Sequence, residues 1–234
     1  MERSSNNKNV GNYEVLAKYY DELLQDEEAL SLWLKYIEEE SFTSVLELAS
    51  GSGVMASILK NKGYEIIASD ISESMKEAAR NNYDGEYLIL NMIDYNLNKK
   101  FDLILCICDS INYLQEDELD KFFKCAYNHL NQNGRLIFDM HSIKRIDEFK
   151  EQYIEEGFVL ETPYQWTIMS DEYENLINEH FTFYTKDAMI KEHHTQNVFK
   201  LDSVKEKMNN LFNVRAIENF VEDEKLLLVG RKKW

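Results

Sequence analysis

Apolar positions repeat along the chain with two different periods. Val15, Leu16, Tyr19, Tyr20, Leu23 and Leu24 recur at helical spacing and predict a helix over 13–24. Leu30, Leu32, Trp33, Leu34 and Ile37 predict a second over 27–39. Short apolar runs then alternate with helical segments. The runs are 45–48, 65–69, 87–90, 101–107 and 135–140; the helices are 54–61, 72–81 and 117–131. Gly63 reads as a left-handed helix end, Ser72 as an N-cap and Asn133-Gly134 as the cap of the third helix. Strands alternating with helices at this spacing predict a doubly wound, mostly parallel sheet with right-handed crossovers.

The period changes after His141. A helical stretch over 143–152 is followed by residues that alternate in polarity over 158–199. Tyr164, Trp166 and Ile168 share one strand face, and Ile177, Phe181 and Phe183 share the next. These predict a three-stranded antiparallel meander, with turns at Asp171-Glu172 and Lys186-Asp187. A helix over 201–212 and a hairpin, 214–220 with 225–231, resume the first pattern. The organisation read from this is a core over 1–142, an inserted lid over 143–200 and a return to the core over 201–234. Three strands cannot stand alone, so the insert must pack on something. It serves either as a roof over the ligand end of the sheet or as a dimer surface. Residues 1–11 are polar and read as a tail.

Chemistry concentrates at the first strand. Val45-Leu46-Glu47-Leu48-Ala49-Ser50-Gly51-Ser52-Gly53 is a buried strand running into a glycine turn and a helix start. The amides of such a turn offer donors to a ligand. Seventeen residues beyond Gly53, Asp70 ends the next strand, where an acid accepts both ribose hydroxyls. Gly51-x-Gly53-x-x-Ala56 fits the loose dinucleotide pattern, but Glu47 would repel a pyrophosphate and attract an ammonium or sulfonium. The other strand ends, Asp70-Ile71, Asn91-Met92, Cys106 to Asp109 and His141, converge on the same edge. Met75 can pack on an adenine face or in the core.

The net charge of −17 argues against a nucleic-acid partner. The three cysteines form neither a disulfide framework nor a zinc pattern, so no metal is expected. No signal core and no membrane-length apolar run is present, which points to the cytoplasm.

The stretches 45–53, Ala68-Ser69-Asp70-Ile71-Ser72, Leu90-Asn91-Met92-Ile93-Asp94-Tyr95 and Phe101-Asp102-Leu103-Ile104-Leu105-Cys106, in this order, resemble the class I S-adenosylmethionine-dependent methyltransferases. The resemblance covers residues 13–142 and, more weakly, the rest. The lid narrows it to a bacterial small-molecule branch near the sugar-amine and glycine N-methyltransferases. It implies a seven-stranded Rossmann-like sheet and a cofactor held by Tyr20, Glu47, Ala49, Gly51, Gly53, Asp70, Ile71, Met75, Asn91, Met92 and Cys106. It also implies in-line methyl transfer to nitrogen or oxygen of a small acceptor, by a monomer or homodimer. The Tyr20-Asp21 pair resembles the branch's signature for closing over the methionine end. Asp109, Asn112 and Tyr113 resemble its active-site edge, and His194 its lid histidine, which gives Asp109, Tyr113 and His194 as catalytic candidates. Three positions depart from the family. Ala49 replaces the loop's first glycine, Asn91 an acid that holds adenine, and Asn197 an arginine. A nicotinamide-dependent oxidoreductase and a non-catalytic binding module of the same fold stay open as alternatives.

Overall fold

A computed structural model describes residues 7–10, 13–24, 26–221 and 224–234. The central sheet has seven strands: β2 (Ser44–Glu47), β3 (Glu65–Asp70), β4 (Glu86–Ile89), β5 (Phe101–Cys106), β6 (Leu130–His141), β11 (Phe212–Phe220) and β12 (Lys225–Lys232). Their order is β11-β12-β6-β5-β2-β3-β4. Pairings from β4 through to β6 are parallel, and β12 is antiparallel to both neighbours. β2 and β5 are wholly buried apart from Asp102, as strands covered on both faces require. The chain runs outward from β2 to β4 and then returns to β5 on the other side of β2. That reversal opens a crevice beyond the carboxyl ends of β2 and β5.

Helices cover both faces. On one side α2 (Glu27–Ile37) and α3 (Val54–Asn61) pack Trp33, Ile37, Met55 and Leu59 onto Val45, Ile66 and Leu103. On the other, α5 (Leu119–His129) and α7 (Leu201–Met208) pack Phe122, Phe123, Val204 and Met208 onto Leu46, Ile104 and Phe138. α4 (Glu73–Ala79) starts at Ser72, whose hydroxyl accepts the Met75 N–H at 3.2 Å.

A second sheet sits above the crevice. Its strands are β1 (Asn7–Val10), β7 (Tyr153–Val159), β8 (Thr162–Asp171), β9 (Leu176–Tyr184) and β10 (Met189–Asn197), in the order β1-β10-β9-β8-β7. The short α6 (Lys144–Glu148) leads into it. The antiparallel part therefore has four strands rather than three, and β1 adds to its edge, parallel to β10. Residues 7–10 are thus part of a sheet and not a tail; residues 1–6 lie outside the described residues. The inner face of this lid buries Tyr164, Phe181 and Phe183 against Leu16 and Tyr19, and the Tyr19 and Phe183 rings stack at 4.7 Å.

Two local expectations change. The helix read over 13–24 is a 3-10 turn at Leu16–Lys18 followed by a short α1 (Tyr20–Leu24). Asn133-Gly134 does not cap α5, which ends at His129. It lies inside β6, with Asn133 at φ 65, and bends the start of that strand.

Candidate functional site

The glycine turn carries three left-handed residues in five: Ala49 (φ 50), Gly51 (φ 54) and Gly53 (φ 77). Ala49 holds a conformation that costs a residue with a Cβ about 1–2 kcal/mol, which explains why a glycine suits the place. At Gly53 a Cβ would lie 3.0 Å from that of Tyr83, so the turn also packs too closely there for a side chain. Asp70 fixes the turn from the neighbouring strand. Its Oδ2 accepts the Gly51 N–H at 3.1 Å and its Oδ1 the Ser72 N–H at 2.9 Å. Each oxygen keeps a lone pair for a further donor. Asp21 fixes the turn from α1, accepting from the Ser52 hydroxyl and, at 2.7 Å, from Asn82 Nδ2.

Glu47 lies beneath the turn and is 2% exposed. Burial raises its carboxyl to about 7, against the bonds it accepts from the Ser50 hydroxyl at 2.7 Å and the Ala56 N–H. A buried carboxyl with no cation beside it holds its proton near neutrality. A cationic ligand at this point would restore its charge.

One cavity of about 690 Å³ runs from this turn to the lid. Glu47, Ala49, Ser50 and Gly51 line one end; Trp166, Glu179, Phe181 and His194 line the other. Tyr13, Tyr20, Asp109 and Tyr113 stand between. Asp109 follows β5 in a left-handed conformation (φ 58), which turns its side chain toward β12. There Lys225 Nζ lies 2.6 Å from Asp109 Oδ2 and 3.6 Å from Asp139 Oδ2. Burial pushes both carboxyls up. Lys225 outweighs it at Asp109, which ends well below the ordinary carboxylate range, while Asp139, beside the ionised Asp109, stays raised. Asp109 Oδ1 and His141 Nδ1 face each other at 3.5 Å, Arg145 Nε is buried without a hydrogen bond, and all three residues line the cavity.

The lid histidines divide as adjacent strand residues must. His193 is exposed and stacks on His180 at 4.3 Å. His194 is 1% exposed and faces inward. Its Nδ1 lies 3.2 Å from the Tyr113 hydroxyl and its Nε2 2.8 Å from Glu192 Oε1. Asn197 is tied to the turn after β5. Its side chain donates to the Leu114 carbonyl at 2.9 Å, and its carbonyl accepts from Asn112.

The cavity thus brings together Tyr20, Glu47, Ala49, Gly51, Asp109, Tyr113 and His194 of the residues named from sequence. Gly53 and Asp70 shape the turn behind it. The others stand elsewhere. Ile71 is 68% exposed, and Asn91 is exposed with its Oδ1 accepting the Ile93 N–H. Met75 is 1% exposed and lies in the core. Cys106 is 0% exposed, with Met92 Sδ 3.8 Å from its Sγ, and its side chain lies in the core. Tyr13, Glu179, Glu192, Asp139 and Lys225 were missed. Alternation along β9 and β10 could have flagged the two glutamates, since each falls on the inward, apolar face of its strand.

Residues 45–134 match the family of methyltransferase domains. The match covers the first half of the central sheet, from β2 into β6. A protein of Geobacillus sp. (strain WCH70) with the provisional name of a methyltransferase is 25% identical over 231 residues, covering 91% of this chain and 93% of its own. Among solved structures, an S-adenosylmethionine-dependent methyltransferase from Clostridium acetobutylicum superposes with a TM-score of 0.79 at 23% identity, over 95% of this chain and 99% of its own. The sugar N-methyltransferase KedS8 from Streptoalloteichus reaches 0.80 at 16% identity, over 94% of each chain. The chain thus has the seven-stranded Rossmann-like fold of these enzymes, and the comparisons support a methyltransferase over an oxidoreductase. Among the described residues no helix is long and apolar enough to cross a membrane, and no group of side chains is arranged to hold a metal.

Proposed function

We propose that the methyltransferase moves a methyl group from S-adenosylmethionine to nitrogen or oxygen of a small polar molecule enclosed under the lid. The observation that carries this reading is the single cavity shared by the Glu47–Gly51 turn and the inner face of the lid. The methyl donor supplies a sulfonium leaving group, so this chain has only to hold, align and exclude water. Glu47, buried beneath the turn on the cavity wall, suits the donor's ammonium. The free lone pairs of Asp70 suit the ribose hydroxyls, and Tyr20, on the cavity wall beside Gly51, closes over the methionine end.

In the middle of the cavity the Asp109–His141 pair and Arg145 Nε offer polar atoms to the acceptor. Asp109 is already matched by Lys225, so Glu179 on the lid is the acidic side chain that suits an acceptor carrying an amine. KedS8 methylates the nitrogen of a sugar, and such a molecule combines an amine with hydroxyls. The test is transfer of labelled methyl from the donor into a panel of amino sugars and small primary amines, with an RNA extract in parallel. Label in a small amine or alcohol supports the proposal; label in RNA alone rejects it.

A further inference from the structure

The cavity wall contains a hydrogen-bonded chain whose direction is fixed at one end. Glu192, 1% exposed on β10, accepts the backbone N–H groups of Val15 at 2.8 Å and Leu16 at 2.9 Å, together with that of Tyr13. Burial pushes its carboxyl up, but these bonds and the one from His194 outweigh burial and bring it below the ordinary value. Glu192 is therefore an anion that only accepts. His194 Nε2, 2.8 Å from it, must carry a hydrogen. In the neutral ring that leaves Nδ1 as an acceptor, and its neighbour is the Tyr113 hydroxyl at 3.2 Å. With its hydrogen given to Nδ1, Tyr113 Oη accepts from the Tyr13 hydroxyl at 2.7 Å. Burial, followed by its tyrosine neighbours, holds the Tyr13 hydroxyl well above 10, so it is protonated and able to donate. Every hydrogen in the chain then points away from the cavity. Tyr13 Oη, on the cavity wall, keeps its lone pairs for a donor inside it.

The backbone supports this reading. Tyr13 has φ 61, a conformation disfavoured for a bulky residue. The same Glu192 carboxylate that orients His194 also takes the Tyr13 N–H and holds this turn in place. One buried anion thus positions both ends of the chain.

We propose that Tyr13 is a catalytic residue that touches the acceptor and takes its proton, and that Tyr113 and His194 pass that proton inward while Glu192 positions them. The inference rests on the transfer reaction proposed above and takes an amine as acceptor. The neutral nitrogen attacks the methyl carbon, and the carbon–sulfur bond breaks with its electron pair left on sulfur. The product is a secondary ammonium. Its N–H proton passes to Tyr13 Oη as the Tyr13 proton passes to Tyr113 Oη and the Tyr113 proton to His194 Nδ1. His194 ends as an imidazolium against the Glu192 carboxylate, and its proton leaves to solvent when the lid releases product. His194 acts at a distance in this scheme, because its two ring nitrogens are both engaged and it is 1% exposed.

Two measurements test it. The first is nitrogen-15 NMR of the full chain labelled in histidine, with the His194 signals assigned by their loss in His194→Gln. The expected state is Nε2 protonated and Nδ1 bare, with the Nδ1 resonance moving in Tyr113→Phe. A hydrogen on Nδ1 in the resting protein overturns the proposal whatever the activity. The second uses the best substrate from the amine panel. Tyr13→Phe should lower kcat by about tenfold or more while the KM for S-adenosylmethionine stays within about threefold. The Tyr13→Phe/Tyr113→Phe pair should be no slower than the worse single variant, because the two act as one unit. Unchanged kcat in Tyr13→Phe, or losses that multiply in the pair, would reject the chain. Should Tyr13→Phe fail to fold, Tyr113→Phe carries the same comparison. If the wild-type protein methylates no amine, the amine acceptor taken here fails, and the tautomer of His194 alone decides whether the directed chain exists.

Discussion

Replacing Glu47 with glutamine should move stability and cofactor affinity in opposite directions. The Glu47 carboxyl stands at about 7 in the fold against an ordinary 4.5. Below pH 4.5 the folded and unfolded chains both carry the proton, and the residue has no pH-dependent cost. As pH rises, the unfolded chain ionises first, and stability is lost until the folded group ionises at about 7. At about 1.4 kcal/mol per pH unit, the loss is about 1 kcal/mol at pH 5 and about 3 kcal/mol at pH 8. Glutamine accepts the Ser50 hydroxyl in the same way and never ionises. The variant should therefore gain about 2 kcal/mol on the wild type between pH 5 and pH 8 in urea unfolding. The same change removes the anion that faces the donor's ammonium. Calorimetry at pH 7.5 should show S-adenosylmethionine binding about 10- to 100-fold more weakly, the loss of a charged hydrogen bond. Wild-type affinity should also fall as pH drops below 7, where the protonated carboxyl no longer pairs with a cation. A stability difference that does not change with pH would refute the raised carboxyl, and unchanged affinity in the folded variant would refute its role toward the cofactor.

Other sites give sharper single readings. Asp70→Asn keeps the size of the side chain but weakens what it accepts, and calorimetry should show cofactor affinity about tenfold lower or worse. Gly53→Ala forces a Cβ to 3.0 Å from that of Tyr83 at φ 77, and should cost about 1–3 kcal/mol in urea unfolding; an unshifted midpoint would contradict the packing. Lys225→Met leaves Asp109 and Asp139 buried without their ammonium, and should cost about 3–5 kcal/mol at pH 8, with a smaller loss near pH 4 where the carboxyls take up protons.

What the sequence revealed follows from distance along the chain. The β2 turn and Asp70 were legible because their signals are local: an apolar run, two glycines and an acid at a fixed interval. Ser72 and Gly63 were legible for the same reason. β1 was not, because Asn7–Val10 has no apolar alternation and becomes a strand only where β10 offers an edge. β7 was missed because Glu155, Glu156 and Gly157 break its pattern, and its pairing with β8 holds it. Asn133-Gly134 has the composition of a helix cap, yet β12 draws the chain back into strand directly after it. The site divides in the same way. Lys225 reads as an ordinary surface lysine until β12 brings it to Asp109, and Glu192 as a solvated strand residue until the backbone of Tyr13 to Leu16 meets it. Cys106 reads as a ligand-edge residue because it ends a parallel strand, whereas its side chain points into the sheet's packed face.

The bonds from Glu192 have a bearing on how the chain assembles as it leaves the ribosome. Tyr13 is made 179 positions before its anchor. The parallel sheet through β6 can condense while the lid is still unmade, but the segment around Tyr13 cannot settle until β10 exists. The wall that encloses the cavity thus orders after the parallel part of the sheet. We expect the Glu192 seam to open more readily than the seven-stranded sheet. Hydrogen exchange should find the amides of Val15 and Leu16 opening together with those of β10, and well before those of β2 and β5. Late assembly and easy opening would then be two aspects of the same seam.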